Sequence, residues 1–434
     1  MNQMNGKEVL VMKKNNNKNL IIVIIILLLC IVGIIIAGKV FKRGGTSSPV
    51  FREPTKYDDK NFNLNLIKTV NSSLDNSNYL ISPYSIEIAL NMLKTGANGN
   101  TLKEIEELIP KRDIKDVSIN KRIGIANGVF IKDSYKNEIE KDFMNTLKKD
   151  YNSEVIYDKF ENPDKINDWV NNKTNNMIPK ILDDISKDFV LGLANAIAID
   201  VEWYGGFECN KTSNEKFTLV DNSSMEVEMM NKSYKGFAKY FIDDKKEGVI
   251  LPYQPYDKNT GEFKENGKSL EFVAVLPKED IKTYINNLTE EELAYDKDVL
   301  SIDNDTLLKL SLPRFSYSFD LENFMDVLKT MGMNDAFDSA KADFTKILKG
   351  GDIYVSKAIH KTYIDLNEKG TKAAAVTYFG IEKNAMQADD ERKIVKIEFN
   401  KPFIYMIRDK DSKEILFFGT VYEPNKWKGT TCNE

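Results

Sequence analysis

The chain has 434 residues, of which 42% are hydrophobic and 29% charged, with a formal net charge of -5. That length allows one large domain or two to three ordinary ones, the apolar share suits a packed core, and the slightly acidic balance excludes a general nucleic-acid binder. Cys30, Cys209 and Cys432 stand far apart, with no metal-ligand spacing and no disulfide framework, so the fold has to rest on its core.

Residues 1–19 are polar and carry Lys7, Lys13, Lys14 and Lys18, which predicts a cytoplasmic N-terminus. Leu20 to Gly38 then runs without a charge, dominated by Ile and Leu, and Lys39, Lys42 and Arg43 close it. As a helix this run spans about 28 Å, close to the bilayer's hydrocarbon thickness. It exceeds the usual apolar stretch of a signal peptide. An uncleaved transmembrane signal-anchor over 20–38 is therefore expected, placing the folded part outside the cell membrane on a single span. Cleavage near Ala37–Gly38 would instead release the protein, and Leu27-Leu28-Leu29-Cys30 faintly resembles a lipidation box. Basic residues at both ends set orientation only weakly.

Residues 39–56 hold Gly-Gly-Thr-Ser-Ser-Pro and read as a linker. The globular part runs over 57–424, followed by a tail at 425–434. Phe62, Leu66, Ile67 and Val70 recur at helical spacing. Ser82-Pro83 starts a second helix with a capping side chain and a proline at its first position; Ile86, Ala89, Leu90 and Leu93 form its stripe. Thr101 and Glu104 have capping-box spacing for a short helix stopped by Pro110. Asp164 to Asn176 predicts a further helix. Gly192 to Asp200 is a nearly all-apolar strand, covered on both faces, whose lone Asn195 must find partners.

Val249 to Tyr253, Leu270 to Pro277 and Thr306 to Phe315 read as strands, and Leu321, Phe324, Met325 and Leu328 mark a helix. Asp352 to Asn367 predicts one long strand leading into Glu368-Lys369-Gly370-Thr371. Gly370 has backbone freedom suited to a hinge. Beyond it, Thr371, Ala373, Ala375, Thr377, Phe379 and Ile381 would share one face of a strand with no proline to interrupt a ladder. Yet Glu382 to Arg392 has the polarity of an exposed loop tip. A short helix over Lys372 to Ala375 is the competing reading. Ile394 to Phe399, Phe403 to Arg408 and Glu414 to Val421 complete the chain as strands.

Catalytic chemistry has little to stand on. His360 is the only histidine, with no Gly-x-Ser-x-Gly beside it to form a nucleophile and base pair. Paired-histidine and paired-cysteine metal motifs are missing, and no spacing singles out a carboxylate pair. The chain is thus expected to be no enzyme and to need no cofactor or metal.

Several stretches resemble one family, the serpins. Ile81-Ser82-Pro83-Tyr84-Ser85-Ile86, with Gly96-Ala97-Asn98-Gly99-Asn100-Thr101, is similar to that family's second helix and following turn. Leu193-Ala194-Asn195-Ala196-Ile197 with Trp203 and Phe207, Leu312-Pro313-Arg314-Phe315, Asn400-Lys401-Pro402-Phe403 and Phe417-Phe418-Gly419-Thr420-Val421 also fit. Glu368-Lys369-Gly370-Thr371 followed by Ala373-Ala374-Ala375 resembles the hinge of the serpin reactive-centre loop, here about 368–393. A membrane-anchored, prokaryote-like member is expected.

The resemblance implies an α+β fold, with helices packed around a large central mixed sheet, further antiparallel sheets and an exposed reactive-centre loop. It implies a monomeric protease inhibitor whose partner is a serine, or else cysteine, endopeptidase trapped as a covalent acyl complex while the loop inserts into the sheet. Family spacing puts the reactive bond at Asn384–Ala385, with Lys383–Asn384 and Met386–Gln387 as alternatives. It also assigns the hinge to Glu368, Gly370, Thr371, Ala373, Ala374 and Ala375. Ser82, Ser85, Asn195 and His360 match a polar "shutter" beneath the sheet opening, and Trp203 the "breach" at its top. Lys372, where the family has an acidic residue, and the bulky Tyr378 and Phe379 depart from the pattern. Competing readings are a non-inhibitory serpin-fold carrier and a membrane-tethered solute-binding protein.

Overall fold

Short polar residues ahead of apolar stripes start the first two helices. The Asn61 side chain accepts from the Leu64 amide at 3.0 Å, and Ser82 accepts from the Ser85 amide at 3.2 Å with Pro83 behind it. A computed structural model of the chain describes residues 61–111, 122–174, 176–350, 352–371 and 392–424. In chain order these begin with α1 (Phe62–Ser73), β1 (Tyr79–Ile81), α2 (Pro83–Lys94), α3 (Gly99–Leu108), β2 (Ile123–Lys132), α4 (Lys141–Tyr151), β3 (Glu154–Asp158) and α5 (Asp164–Lys173). Next come β4 (Leu191–Ile199), β5 (Val201–Glu202), β6 (Thr212–Thr218), β7 (Ser224–Tyr234), β8 (Lys239–Ile242), β9 (Lys246–Pro252) and β10 (Leu270–Pro277). The remainder is α6 (Ile281–Asn287), α7 (Glu290–Ala294), β11 (Leu300–Ser301), β12 (Thr306–Pro313), β13 (Phe315–Asp320), α8 (Phe324–Thr330), β14 (Lys361–Asn367), β15 (Gly370–Thr371), β16 (Lys393–Glu398), β17 (Phe403–Asp409) and β18 (Ile415–Val421).

A seven-stranded sheet in the order β1-β18-β17-β10-β9-β8-β11 carries the deepest core. Every residue of β10, β17 and β18 is buried, as expected of strands covered on both faces. A second sheet runs β16-β12-β7-β6, and two smaller ones run β3-β2-β4 and β13-β14-β15-β5. The result is the expected α+β architecture of helices around several sheets. β2 and β3 pair in parallel while β2 and β4 pair antiparallel, so the strands around the slot described below are mixed.

Four expectations need correction. Membrane placement is withdrawn: among the described residues no helix is long and apolar enough to cross a membrane. The longest helices among the described residues have 12 residues, or about 18 Å against a hydrocarbon core of ~30 Å; residues 20–38 lie outside the described residues. Thr101 and Glu104 do not form a capping box. Thr101 Oγ1 accepts from the Asp343 amide, and Glu104 from the Asn334 and Asp335 amides, so tertiary partners take both groups.

The strand expected from Asp352 begins only at Lys361, because β13 pairs with nothing before it. Finally, Cys209 is disulfide-bonded, which spacing alone cannot foretell; Cys30 and Cys432 both lie outside the described residues.

Candidate functional site

The slot lies between the two smaller sheets. β4 pairs with β2 along its whole length on one side. Among the described residues no ladder joins its other edge to β14. Leu191 to Asn195 are accordingly only half-buried, correcting the expectation of a strand covered on both faces. Above this slot the sheets are stitched together. After β14 the chain turns at Glu368–Lys369 and returns as β15, where Gly370 and Thr371 pair with Asn367 and Leu366 on one side and with Glu202 and Val201 on the other.

Close approach dictates the residues here. A Cβ on Gly370 would lie 2.0 Å from the Val201 carbonyl oxygen. Its φ lies outside the left-handed range. The glycine is therefore required by the neighbouring backbone, not by the conformational freedom that the sequence suggested. Thr371 is 2% exposed, and its hydroxyl bonds that of Tyr253. The Tyr253 ring stacks on Trp203 at 4.5 Å and 7°.

Trp203 grips the turn through both of its N–H groups. Its amide donates to the Lys369 carbonyl and its indole to the Asn367 carbonyl, each at 2.9 Å. Glu368 is 3% exposed. Its carboxylate accepts from Thr212 Oγ1 at 2.6 Å and from Arg314 Nη1 at 3.3 Å, while Arg314 also binds Glu228. Burial opposes the charge on Arg314, but the two carboxylates outweigh it and hold the guanidinium's pKa above its ordinary value. Breaking one partner of such a buried set leaves a charge uncompensated.

Ser82, Ser85, Asn195 and His360 are brought together below. His360 Nε2 accepts from the Ser82 amide at 3.0 Å, so the neutral ring carries its proton on Nδ1. Burial lowers the His360 pKa to about 4, which keeps it neutral in ordinary buffers. Ser85 donates to Asn195 Oδ1. Asn195 donates to Asn127 Oδ1, and Asn127 to the Tyr151 carbonyl, each at 2.7 Å. The chain of bonds thus passes from the approach to β14, over the start of α2, to β4 and β2.

Glu228, Thr212, Tyr253 and Asn127 complete the site without having been given a role in the sequence. Arg314 entered only as part of the Leu312-Pro313-Arg314-Phe315 stretch, within what reads as a single strand; it stands where the chain leaves β12 for β13. Ala373, Ala374, Ala375, Lys383, Asn384 and Ala385 lie outside the described residues.

A family model described as "Serpin (serine protease inhibitor)" matches residues 58–424. The leukocyte elastase inhibitor of Sus scrofa is 31% identical over 392 residues, covering 84% of this chain and 97% of that protein. An uncharacterised serpin-like protein of Thermococcus kodakarensis is 28% identical over 372 residues, covering 81% and 82%. The crystal structure of a thermophilic serpin, tengpin, in its native state aligns with a TM-score of 0.69 and 30% identity, covering 86% of this chain and 96% of that one. Vertebrate and archaeal proteins match alike, so the comparisons do not support a specifically prokaryote-like character.

Proposed function

The chain belongs to the serpin family, and on that premise we propose that it inhibits an endopeptidase as a suicide substrate. The observation that carries this reading is β15: Gly370 and Thr371, assigned to the hinge by resemblance, pair with β14 and β5 above a slot where, among the described residues, no ladder joins β4 to β14. Extending both registers downward sets Ala373 and Ala375 on Thr371's face. On insertion it would set Thr377 opposite His360 on one side and Asn195 on the other. Both registers would thus bring the same small residue to the polar groups beneath the slot, and such groups can exchange partners when a strand arrives.

In the proposed reaction the protease nucleophile attacks the carbonyl carbon of the reactive residue, with Asn384 preferred over Lys383 or Met386. The C–N bond to the next residue breaks and the new amine leaves as part of the C-terminal fragment, so the protease is held as an acyl-enzyme. The freed strand then enters the slot and carries the protease with it, a form of strand addition.

Mixing the protein with trypsin-like, chymotrypsin-like and cysteine proteases tests this. The expected results are an SDS-stable complex, a C-terminal fragment whose mass identifies the bond, and a higher Tm for the cut protein. Cleavage within the loop with neither complex nor Tm rise overturns the proposal.

A further inference from the structure

Cys209 is disulfide-bonded, and the chain offers it only Cys30 and Cys432 as partners. The bond sits where the chain holds the hinge. Cys209 opens a short helical turn, Cys209–Lys211, on the run from β5 to β6. Ahead of the turn, the Phe207 amide donates to the Glu368 carbonyl at 2.9 Å. Behind it, the Thr212 amide donates to the Cys209 carbonyl, and Thr212 Oγ1 donates to the Glu368 carboxylate at 2.6 Å. Cys209 is thus one residue's contact away from the buried acid of the hinge. The turn is otherwise lightly fastened. Glu208 and Asn210 beside Cys209 are exposed, and the Glu208–Lys211 pair stands in solvent, where an ion pair contributes little.

Of the two candidate partners, Cys432 has the shorter tether. Asn78 fixes the last described residues on the body, its Oδ1 accepting from the Tyr422 and Glu423 amides at 2.7 and 3.0 Å. From Pro424, residues 425–432 give at most about 29 Å of extended chain. The interior links the two neighbourhoods in short steps. Gly419 of β18 pairs with Tyr405, whose ring stacks on Phe272 at 5.7 Å; Phe272 meets Trp203 at 5.4 Å, and Trp203 meets Phe207 at 6.2 Å. Cys30 is joined to Asn61, where the described residues begin, only through residues 31–60. A longer tether dilutes the thiol at its end.

We propose that Cys209 and Cys432 form the disulfide, that it moors the C-terminal tail beside the hinge turn, and that it is a site of reductive modification by a dithiol. In that reaction a thiolate of the dithiol attacks one sulfur and the S–S bond breaks, leaving a mixed disulfide and one cysteine thiolate. The second thiol of the reagent displaces the first, and the reagent leaves as a cyclic disulfide. Two electrons and two protons pass to Cys209 and Cys432. Cys209 is half-buried between exposed neighbours, so the reagent has access. Reduction frees the turn, and with it the carbonyl that holds the Thr212 amide, so the Thr212 hydroxyl loses its fixed place at Glu368. The pairing is independent of the insertion reading above. Its effect on inhibition rests on that reading: with Glu368 held less well, the reduced form is consumed more often as a substrate.

Peptide mapping of the full chain without reductant tests the pairing. One linked fragment pair holding Cys209 and Cys432 is expected, with Cys30 alkylated as a free thiol. Cys209 linked to Cys30, or itself alkylated, overturns the proposal. Dithiothreitol under native conditions tests the hold on the hinge. After reduction the Thr212 amide should exchange hydrogen several-fold faster, and Cys432→Ser should match the reduced wild type, while the amides of β10 are unchanged. Thr212 exchange that is the same in all three forms overturns the role of the bond at the hinge. Titration against trypsin-like serine proteases, which need no thiol, reads the effect on inhibition: more inhibitor should be consumed per protease trapped after reduction. Equal stoichiometry overturns redox control. No complex from either form overturns the insertion reading and the inhibitory consequence with it, while the mapping and Thr212 exchange still decide the disulfide.

Discussion

Replacing Thr371 with Arg puts the hinge under the sharpest test. Thr371 is 2% exposed, bonded to Tyr253 and flanked by strands on both sides. An arginine there strands the Tyr253 hydroxyl, at about 1–3 kcal/mol, and buries an unpaired guanidinium, at about 3–5 kcal/mol. The intact protein has an escape. It can release β15, giving up two residue pairs on each side, or about 2–4 kcal/mol at ~1 kcal/mol per hydrogen bond. Its Tm should therefore fall only modestly. Insertion has no such escape, because the arginine must enter the sheet before anything below it can follow. A barrier raised by about 3 kcal/mol slows that step roughly 150-fold, long enough for the protease to hydrolyse the acyl bond and leave. Titration against any protease that the wild type traps should show Thr371→Arg cleaved as a substrate, without an SDS-stable band and with no Tm rise on cleavage. An undiminished complex at wild-type stoichiometry would refute the reasoning.

Two further outcomes follow from the same geometry. Gly370→Ala places a methyl against the Val201 carbonyl, so β15 should detach; amide exchange at Val201 and Glu202 should accelerate while that of β10 is unchanged. His360, the sole histidine, has its pKa lowered to about 4 by burial, against an ordinary value near 6.5. As pH falls through 6.5 the unfolded chain takes up a proton that the folded protein refuses, so stability is lost down to about pH 4, by about 3 kcal/mol in all. Denaturant midpoints of His360→Gln should fall less over that window than those of the wild type.

Much of this was legible because local rules suffice. Ser82-Pro83 caps a helix whatever surrounds it, and the apolar runs of β10, β17 and β18 need burial on both faces. The failures come from partners distant in sequence. Thr101 and Glu104 have perfect capping-box spacing, but the segment around Asn334 to Asp343 offers their oxygens other donors. The strand before His360 alternates well, yet β13 stops short of it. Cys209 gave no sign of its disulfide.

Gly370 and Glu368 show the same limit in a form that bears on function. Glycine at the hinge was foreseen on account of its freedom, but its place is fixed by a carbonyl 2.0 Å from where a side chain would begin. Glu368 is assigned to the hinge by resemblance alone, and its buried partner Arg314, from the junction of β12 and β13, is distant in sequence. Both residues therefore hold the upper end of the hinge in the sheet, one by fit and one by charge. On the insertion mechanism proposed above, a hinge anchored this way would not need to find the slot by diffusion. With Gly370 and Thr371 already paired, the step left to control the rate would be the opening of the sheet beneath them.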